Sequence, residues 1–382
     1  MFRKEVNPIV VLAATVLILV VVQFVYWRGL VYREPARGGP GGGGGGGGGI
    51  TRQALGRADV TVSTIAGDEP GFRDGTVREA RFAGPNALAV GPDGAILVSD
   101  SRNHRIRRVI PGGEVTTIAG AGPPGGVGAR GEGPVNAARF SYPSGVALAR
   151  DGTLYVSDTG NHRVCRIKDG QVSTLAGGTA GQRDGAGSAA AFQYPGALTV
   201  GPDGAVWVAD AGNQALRRVT LNGAVSSPAE APGPVADALG DLYRTPLSLP
   251  ISSSPNGADA AQDQPFTTKR RSPGALLPGP GLHIFADPAG CTVHSWKGSG
   301  SAFLLAGRRE DERSSAGIAD GEGARAQFTV PCAVALGPDK SLYVADYGGN
   351  RIRRVELPEW LLEGTEMPVR QRRRFRRSLS GN

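Results

Sequence analysis

The residues best suited to chemistry are aspartates and asparagines that recur together in one short phrase. Each phrase ends in Val-Ser-Asp or Val-Ala-Asp, and an asparagine follows three or four residues later. Carboxylates can act as acids or bases in catalysis. Asx side chains also bond to neighbouring backbone amides in turns, and asparagine tolerates left-handed backbone geometry. Because the phrase recurs at one position of each copy, we interpret these residues as structural turn residues. They are Asp100 and Asn103, Asp158 and Asn161, Asp210 and Asn213, and Asp346 and Asn350.

The histidines and cysteines match no catalytic or metal-binding motif. His104 and His162 belong to the repeated turn, whereas His283 and His294 have no companion at metal-ligand spacing. The sequence has no nucleophile elbow, phosphate loop or Cys-x-x-Cys pair. Three cysteines without paired spacing argue against a disulfide framework. We therefore predict no catalytic residue, no cofactor and no metal.

A second recurring group is basic and occupies one position in three of the copies. A local basic stripe could bind RNA, but an arginine at the end of a strand is usually just solvated. Of the net charge of +8, residues 1–59 carry +4 and residues 358–382 carry +3, which leaves +1 for residues 60–357. This distribution argues against nucleic acid as the partner. The candidate basic binding positions are Arg107, Arg108, Arg217, Arg218, Arg353 and Arg354, with Arg372, Arg373 and Arg374 in the C-terminal tail.

The elements that must position these residues are repeats with a constant register. A phenylalanine opens each copy, proline stands three residues later, an aspartate eleven later, and an acidic residue with glycine stands eight and seven before it. Each copy reads as four short strands separated by Gly, Asp and Asn turns. Successive copies begin 58 and 52 residues apart, near the roughly 40–50 residues of one propeller blade. The opening residues are Phe82, Phe140, Phe192 and Phe328.

The repeats predict an all-β fold, a β-propeller of about five four-stranded blades over residues 60–357. A worn copy lies between the third and the last, where residues 273–276 and 285–287 echo residues 195–198 and 208–210. The Pro/Ala/Ser-rich stretch 226–269 is interpreted as an inserted loop, with a sixth blade as the alternative. Residues 60–66 are predicted to pair with the third strand of the last blade, because each end of the domain supplies part of one blade.

The chain resembles the NHL-repeat family of β-propellers. The resemblance rests on Phe-x-x-Pro, on Pro-Asp-Gly, on residues 155–164 (Tyr-Val-Ser-Asp-Thr-Gly-Asn-His-Arg-Val) and on residues 172–177 (Val-Ser-Thr-Leu-Ala-Gly). It implies a propeller that presents loops to partners. Some NHL propellers bind RNA, a few are lyases, and related lactonases hold a metal in the central channel. The inner strands here offer mostly Ala, Leu, Val and Gly, so no such metal set is recognised.

The N-terminal region is predicted to anchor the propeller. After a short head, residues 1–8, an apolar run at 9–27 is long enough for one transmembrane helix. A cleaved signal peptide is the alternative, but the run is long and lacks a small-residue cleavage site. Residues 28–59 include nine consecutive glycines and form a flexible linker. The side of the membrane on which the propeller lies stays undetermined. The basic residues after the span favour a cytoplasmic propeller, whereas a long domain that follows a short basic head is often translocated.

These features predict a single-pass membrane protein whose propeller is a non-catalytic binding or scaffolding platform, with a protein as its partner. One alternative is a propeller enzyme, a lyase or lactonase-like hydrolase with a channel metal. The other is an RNA-binding NHL propeller. The basic tail, residues 358–382, is expected to be disordered; it could bind anionic lipid headgroups, carry a sorting signal or remain solvated.

Overall fold

The computed structural model describes residues 60–121, 130–230, 275–277, 282–288, 290–297, 303–307, 317–323 and 325–362. The predicted head, membrane span and linker, most of the predicted insertion, and the arginines of the tail lie outside these residues. Within them, no helix has the length and apolarity needed to cross a membrane.

The described residues form five antiparallel sheets, which we number as blades 1 to 5 in chain order. From its inner to its outer edge, blade 1 contains β3 (Pro85–Val90), β4 (Ile96–Asp100), β5 (Arg105–Val109), β6 (Glu114–Ala119) and β2 (Gly75–Thr76). Blade 2 contains β8 (Pro143–Leu148), β9 (Leu154–Asp158), β10 (Arg163–Lys168), β11 (Gln171–Gly177) and β7 (Gly133–Pro134). Blade 3 contains β13 (Pro195–Val200), β14 (Val206–Asp210), β15 (Ala215–Val219), β16 (Ala224–Ser226) and β12 (Gly185–Ala186).

The last two blades differ from the first three in the strands that form them. Blade 4 contains β17 (Ala275–Leu277), β18 (Leu282–Asp287), β19 (Thr292–Lys297) and β20 (Phe303–Ala306). Blade 5 contains β22 (Pro331–Leu336), β23 (Ser341–Asp346), β24 (Arg351–Glu356), β1 (Thr61–Ala66) and β21 (Gly321–Glu322). The described residues therefore form a five-bladed β-propeller, and the worn copy of the repeat is blade 4. Four sheets also carry a two-residue outer segment that the sequence did not predict.

The two ends of the propeller close the ring, as the sequence predicted. Strand β1 pairs antiparallel with β24, with Ser63 opposite Arg354 and Thr64 opposite Arg353. Strand β21 pairs with the other side of β1. The pairing buries two edges that would otherwise expose unpaired backbone groups.

The core lies between adjacent blades because successive side chains of a strand point to opposite faces of its sheet. In β4, Ile96 and Val98 pack into a cluster shared with blade 5, whereas Leu97 packs into a cluster shared with blade 2. The phenylalanine that opens each repeat is fully buried in such a cluster. Burying an apolar side chain of this size contributes about 1.5–3 kcal/mol.

The folded domain continues past the predicted boundary at residue 357. Residues Glu359–Leu362 form one helical turn, α1. Leu361 is 6% exposed and packs into the cluster between blades 4 and 5. The prediction that the disordered tail begins at residue 358 is therefore wrong, because an apolar Trp-Leu-Leu segment follows the closing strand and covers the core.

Candidate interaction face

The repeated aspartate ties three chain segments together at the turn between the second and third strands. The backbone N–H of Ala83 donates to Oδ1 of Asp100 at 2.8 Å. The Asn103 amide and the Arg107 guanidinium both donate to Oδ2 at 2.8 Å. The same aspartates in blades 2, 3 and 5 are also fully buried. Their carboxylates therefore hold the fold and do not meet solvent.

Burial dominates the electrostatics of these aspartates. Loss of water raises the pKa of Asp100 to about 6, and the charge of Arg107 and the hydrogen bonds from Asn103 and Ala83 oppose the rise. Burial likewise raises the pKa of Asp158, Asp210 and Asp346. A carboxylate in such a setting requires its cation and its donors.

In blades 1, 3 and 5, an arginine on the third strand is buried beside this aspartate. The side chains of Arg107, Arg217 and Arg353 have no exposed surface. They were candidate basic binding positions, and the structure places their guanidinium groups inside the blade, out of reach of an external ligand. Arg108, Arg218 and Arg354 are partly exposed and pair with the aspartates of the turns that join first and second strands, Asp93, Asp203 and Asp339.

Blade 2 places its buried arginine two residues earlier on the same strand. Arg163 donates through Nε to Asp158 at 2.6 Å, and Cys165 occupies the position of Arg107. Both residues of blade 2 are fully buried. Because side chains two apart share one face of a strand, the guanidinium reaches the same aspartate from either position.

Four acidic residues that the sequence interpretation left without a role complete this network. Asp74 accepts hydrogen bonds from the Arg107 guanidinium at 2.6 Å and from the Thr117 backbone N–H at 3.0 Å. Each thus joins a buried arginine to the outermost long strand of its blade or, in blade 3, to Ser227 directly after that strand. The signal was the acidic-glycine pair ahead of each phenylalanine. The four are Asp74, Glu132, Asp184 and Asp320.

Each turn ends in a left-handed residue that can reach the next blade. The Tyr142 N–H of blade 2 donates to Nδ1 of His104 in blade 1, and the Gly84 N–H of blade 1 donates to Oδ1 of Asn350 in blade 5. In blade 4, the Cys291 thiol donates to the carbonyl of Thr329 in blade 5 at 3.0 Å. The left-handed residues are His104, His162, Gln214, Cys291 and Asn350.

This geometry corrects the grouping of Asn350 with Asn103. Asn350 has a φ of 52° and stands where blade 1 has His104, whose φ is 57°. Asn103 instead lies in a 3-10 turn and bonds to Asp100. The last turn has one more residue between its aspartate and its asparagine, so Asn350 bonds to blade 1 and not to Asp346.

We call the surface formed by the turns of blades 1, 2, 3 and 5 the turn face. It also carries three tyrosines at blade junctions. The Tyr142 ring lies 4.6 Å from that of His104, and the Tyr194 ring lies 4.7 Å from that of His162, between centroids. At the junction of blades 5 and 1, Tyr347 packs against Gly84 and lies under the Arg102 guanidinium. The turn face consists of residues 83–84, 101–104, 141–142, 159–162, 193–194, 211–214, 329–330 and 347–350.

The part of the chain that the structure describes contains no group of three or more His, Cys, Asp or Glu side chains arranged to hold a metal. His294 lies in β19, where its ring stacks on Phe285 and its Nε2 lies 2.7 Å from the Thr292 hydroxyl. Its environment is that of a packed strand residue.

Comparison with known proteins identifies the repeat. The NHL repeat model matches residues 82–109 and 140–167, which run from the opening phenylalanine to the end of the third strand in blades 1 and 2. The chain carries NHL repeats in blades 1 and 2 of a five-bladed β-propeller. The matched segments contain the buried aspartate, the turn and the buried arginine of each blade, so the NHL pattern records the network that holds a blade together.

Three relatives match this chain over part of their own length. Teneurin-m of Drosophila melanogaster is 27% identical over 306 residues, 74% of this chain and 10% of its own. Protein SUPPRESSOR OF QUENCHING 1, chloroplastic, of Arabidopsis thaliana is 30% identical over 172 residues, 41% and 16% of the two chains. NHL repeat-containing protein 2 of Bos taurus is 31% identical over 191 residues, 42% and 26% of the two chains. The chain therefore spans about a quarter or less of the length of each.

Proposed function

We propose that this NHL propeller is a non-catalytic binding platform that engages a protein partner through its turn face. The proposal rests on the observation that the repeated polar side chains are buried and bonded within the fold. Asp100 and its equivalents, and Arg107 and its equivalents, bond to one another and to backbone groups. What the turn face offers a partner is a set of side chains that differ from blade to blade.

These variable side chains suit protein recognition. Arg102, Tyr142, His162 and Tyr194 are half-buried, and Gln214 is exposed. Tyrosine and arginine are enriched where proteins bind one another, because each combines a large apolar surface with a polar end. Turns joined from blade to blade also lose little conformational entropy on binding.

The membrane tether is a second part of the proposal. Residues 9–27 span the bilayer once, and the glycine-rich linker, 28–59, sets how far the propeller reaches from it. Resistance of the full-length chain to alkaline extraction from membranes supports the anchor, and release of a shortened chain supports a cleaved signal peptide instead. Protease protection of the C-terminus in sealed vesicles determines the side.

The test of the binding face uses two positions that flank one strand. Gln214 precedes β15 on the turn face, and Leu221 follows β15 at the opposite end, where it is 57% exposed. A photo-crosslinking amino acid at position 214 should capture a protein in cells, whereas the same group at position 221 should not. The further variant Tyr194→Ala should weaken capture at position 214. Equal capture from both positions, or capture from 221 alone, would contradict the proposal.

Two measurements distinguish the alternative functions. A stoichiometric divalent metal found by elemental analysis of the purified chain would favour an enzyme. RNA affinity that persists after removal of residues 363–382 would favour an RNA-binding propeller. The truncation begins at residue 363 because Leu361 is part of the core.

A further inference from the structure

Two neighbouring junctions of the turn face are closed by histidine side chains. The Tyr142 N–H donates to Nδ1 of His104 at 3.0 Å, which links blade 2 to blade 1. The Tyr194 N–H donates to Nδ1 of His162 at 3.2 Å, which links blade 3 to blade 2. Each histidine ring also contacts the ring of the tyrosine whose N–H it accepts. Both junctions therefore depend on the Nδ1 atom of a histidine as the hydrogen-bond acceptor.

That acceptor exists only while the imidazole is neutral. A ring nitrogen that accepts an N–H carries a lone pair, so the proton of each ring resides on Nε2. Protonation makes Nδ1 a donor, and the tyrosine N–H then faces another donor. Histidine titrates near pH 6.5 in the absence of perturbation. Burial lowers the pKa of His162, which agrees with a folded state that holds the ring neutral.

The junction between blades 5 and 1 has the same bond without a titrating group. Asn350 occupies the backbone position of His104 and His162, and its Oδ1 accepts the Gly84 N–H at 3.0 Å. A carboxamide oxygen accepts at any ordinary pH. The propeller therefore contains its own control, and asparagine is shown to fit the left-handed position.

Charged and titratable groups surround both histidine rings. The hydroxyls of Tyr142 and Tyr194 belong to the next blade along the chain. Burial is the cause of the lowered pKa of His162. The charged groups of the surrounding segments are Arg102, Arg105 and the Asp100–Arg107 pair near His104, and the Asp158–Arg163 pair, Glu132 and Arg130 near His162.

We propose that the junctions between blades 1 and 2 and between blades 2 and 3 are acid-labile joints, which open when His104 and His162 take up protons. Because burial disfavours the charged ring of His162, the stabilising effect of its joint is complete above the unfolded-state pKa and is lost as the pH falls toward the folded-state pKa. The joints belong to the propeller itself, so they do not depend on which partner binds.

Hydrogen–deuterium exchange of the full-length chain with residue-level resolution measures these bonds directly. After correction for intrinsic exchange, the protection of the Tyr142 and Tyr194 amides should fall by up to about tenfold per pH unit below about pH 6.5. Protection of the Gly84 amide should fall less than that of either tyrosine amide, because its own acceptor, Asn350, does not titrate and only Asp100, which holds the neighbouring Ala83 N–H, changes charge beside it. Unchanged protection at both tyrosines, or a parallel fall at Gly84, would overturn the proposal.

The variants His104→Asn and His162→Asn complete the test. Each should retain protection of its tyrosine amide at neutral pH and should lose the acid-dependent decrease at that amide alone. Cooperative thermal unfolding at neutral pH verifies that the variants are folded. A decrease that persists in the asparagine variants would assign the pH dependence to another group and would refute the proposal.

Discussion

The displaced arginine of blade 2 permits a transplantation test of the buried network. Arg163→Ala removes a guanidinium whose Nε lies 2.6 Å from Asp158. Asp158 then remains fully buried without its cation. Breaking a buried ion pair by removing one partner costs about 3–5 kcal/mol. We expect this loss from a free energy of unfolding of about 5–15 kcal/mol, so the variant should be close to unfolding.

The second variant adds Cys165→Arg to Arg163→Ala. It reproduces blade 3, where Ala215 stands at the first position and Arg217, 2.8 Å from Asp210, stands at the second. The restored guanidinium should donate to Asp158 from its new position. We expect the double variant to recover at least about 2 kcal/mol of the loss, since repacking around the former thiol is imperfect.

Equilibrium urea unfolding of the full-length chain measures both changes. The control is Lys168→Ala in the same blade, which removes an exposed pair with Asp151 and should alter stability far less, because exposed ion pairs contribute little. If the double variant is no more stable than Arg163→Ala, the two positions are not interchangeable and the shared network is not what the blades have in common.

Three further predictions concern closure, backbone and pH. Thr64→Pro removes a backbone N–H that donates to Asp320 and should lower the urea midpoint by an amount that corresponds to more than about 2 kcal/mol. Gly67→Ala should destabilise more than Gly112→Ala in thermal unfolding, since both have positive φ but only Gly67 lies against backbone; similar effects would contradict the role of space, and the Gly112 change should cost about 1 kcal/mol. Burial, and then the hydrogen bond to Asp339, raise the pKa of Tyr343 to about 12, so its contribution to stability is complete below about pH 10 and is lost as the pH rises toward 12; Tyr343→Phe should reduce this alkaline loss in urea unfolding at stepped pH.

The repeat register made the blades and the closing pair predictable. Phe82 and its equivalents fixed the phase of each copy, and the segment 60–66 was left over at the start of the domain. The domain begins with a strand that has no partner and ends with a blade that lacks its outer strand. Pairing the two satisfies both edges. The extension through α1 could not be predicted, because a basic composition further along the tail masked three apolar residues that contact the core.

The chemistry of the turn was less visible in the sequence. Arg107 and Asp74 are 33 residues apart, so their pairing follows from the fold and not from local spacing. Asn350 was grouped with Asn103 by residue type, whereas the backbone places it with His104. The residue type specifies only the side chain. A single extra residue in a turn changes which backbone position that side chain occupies.

The pairing of β1 with β24 also sets an order for biosynthesis. Roughly 290 residues separate the two strands, and synthesis at about 5–20 residues per second takes about 15–60 s to cover that distance. For most of this interval β1 has no partner in the nascent chain, because its other neighbour, β21 (Gly321–Glu322), is also made late. Ribosomal products that stop before β24 cannot complete the domain, which gives cellular quality control a clear distinction between finished and unfinished molecules.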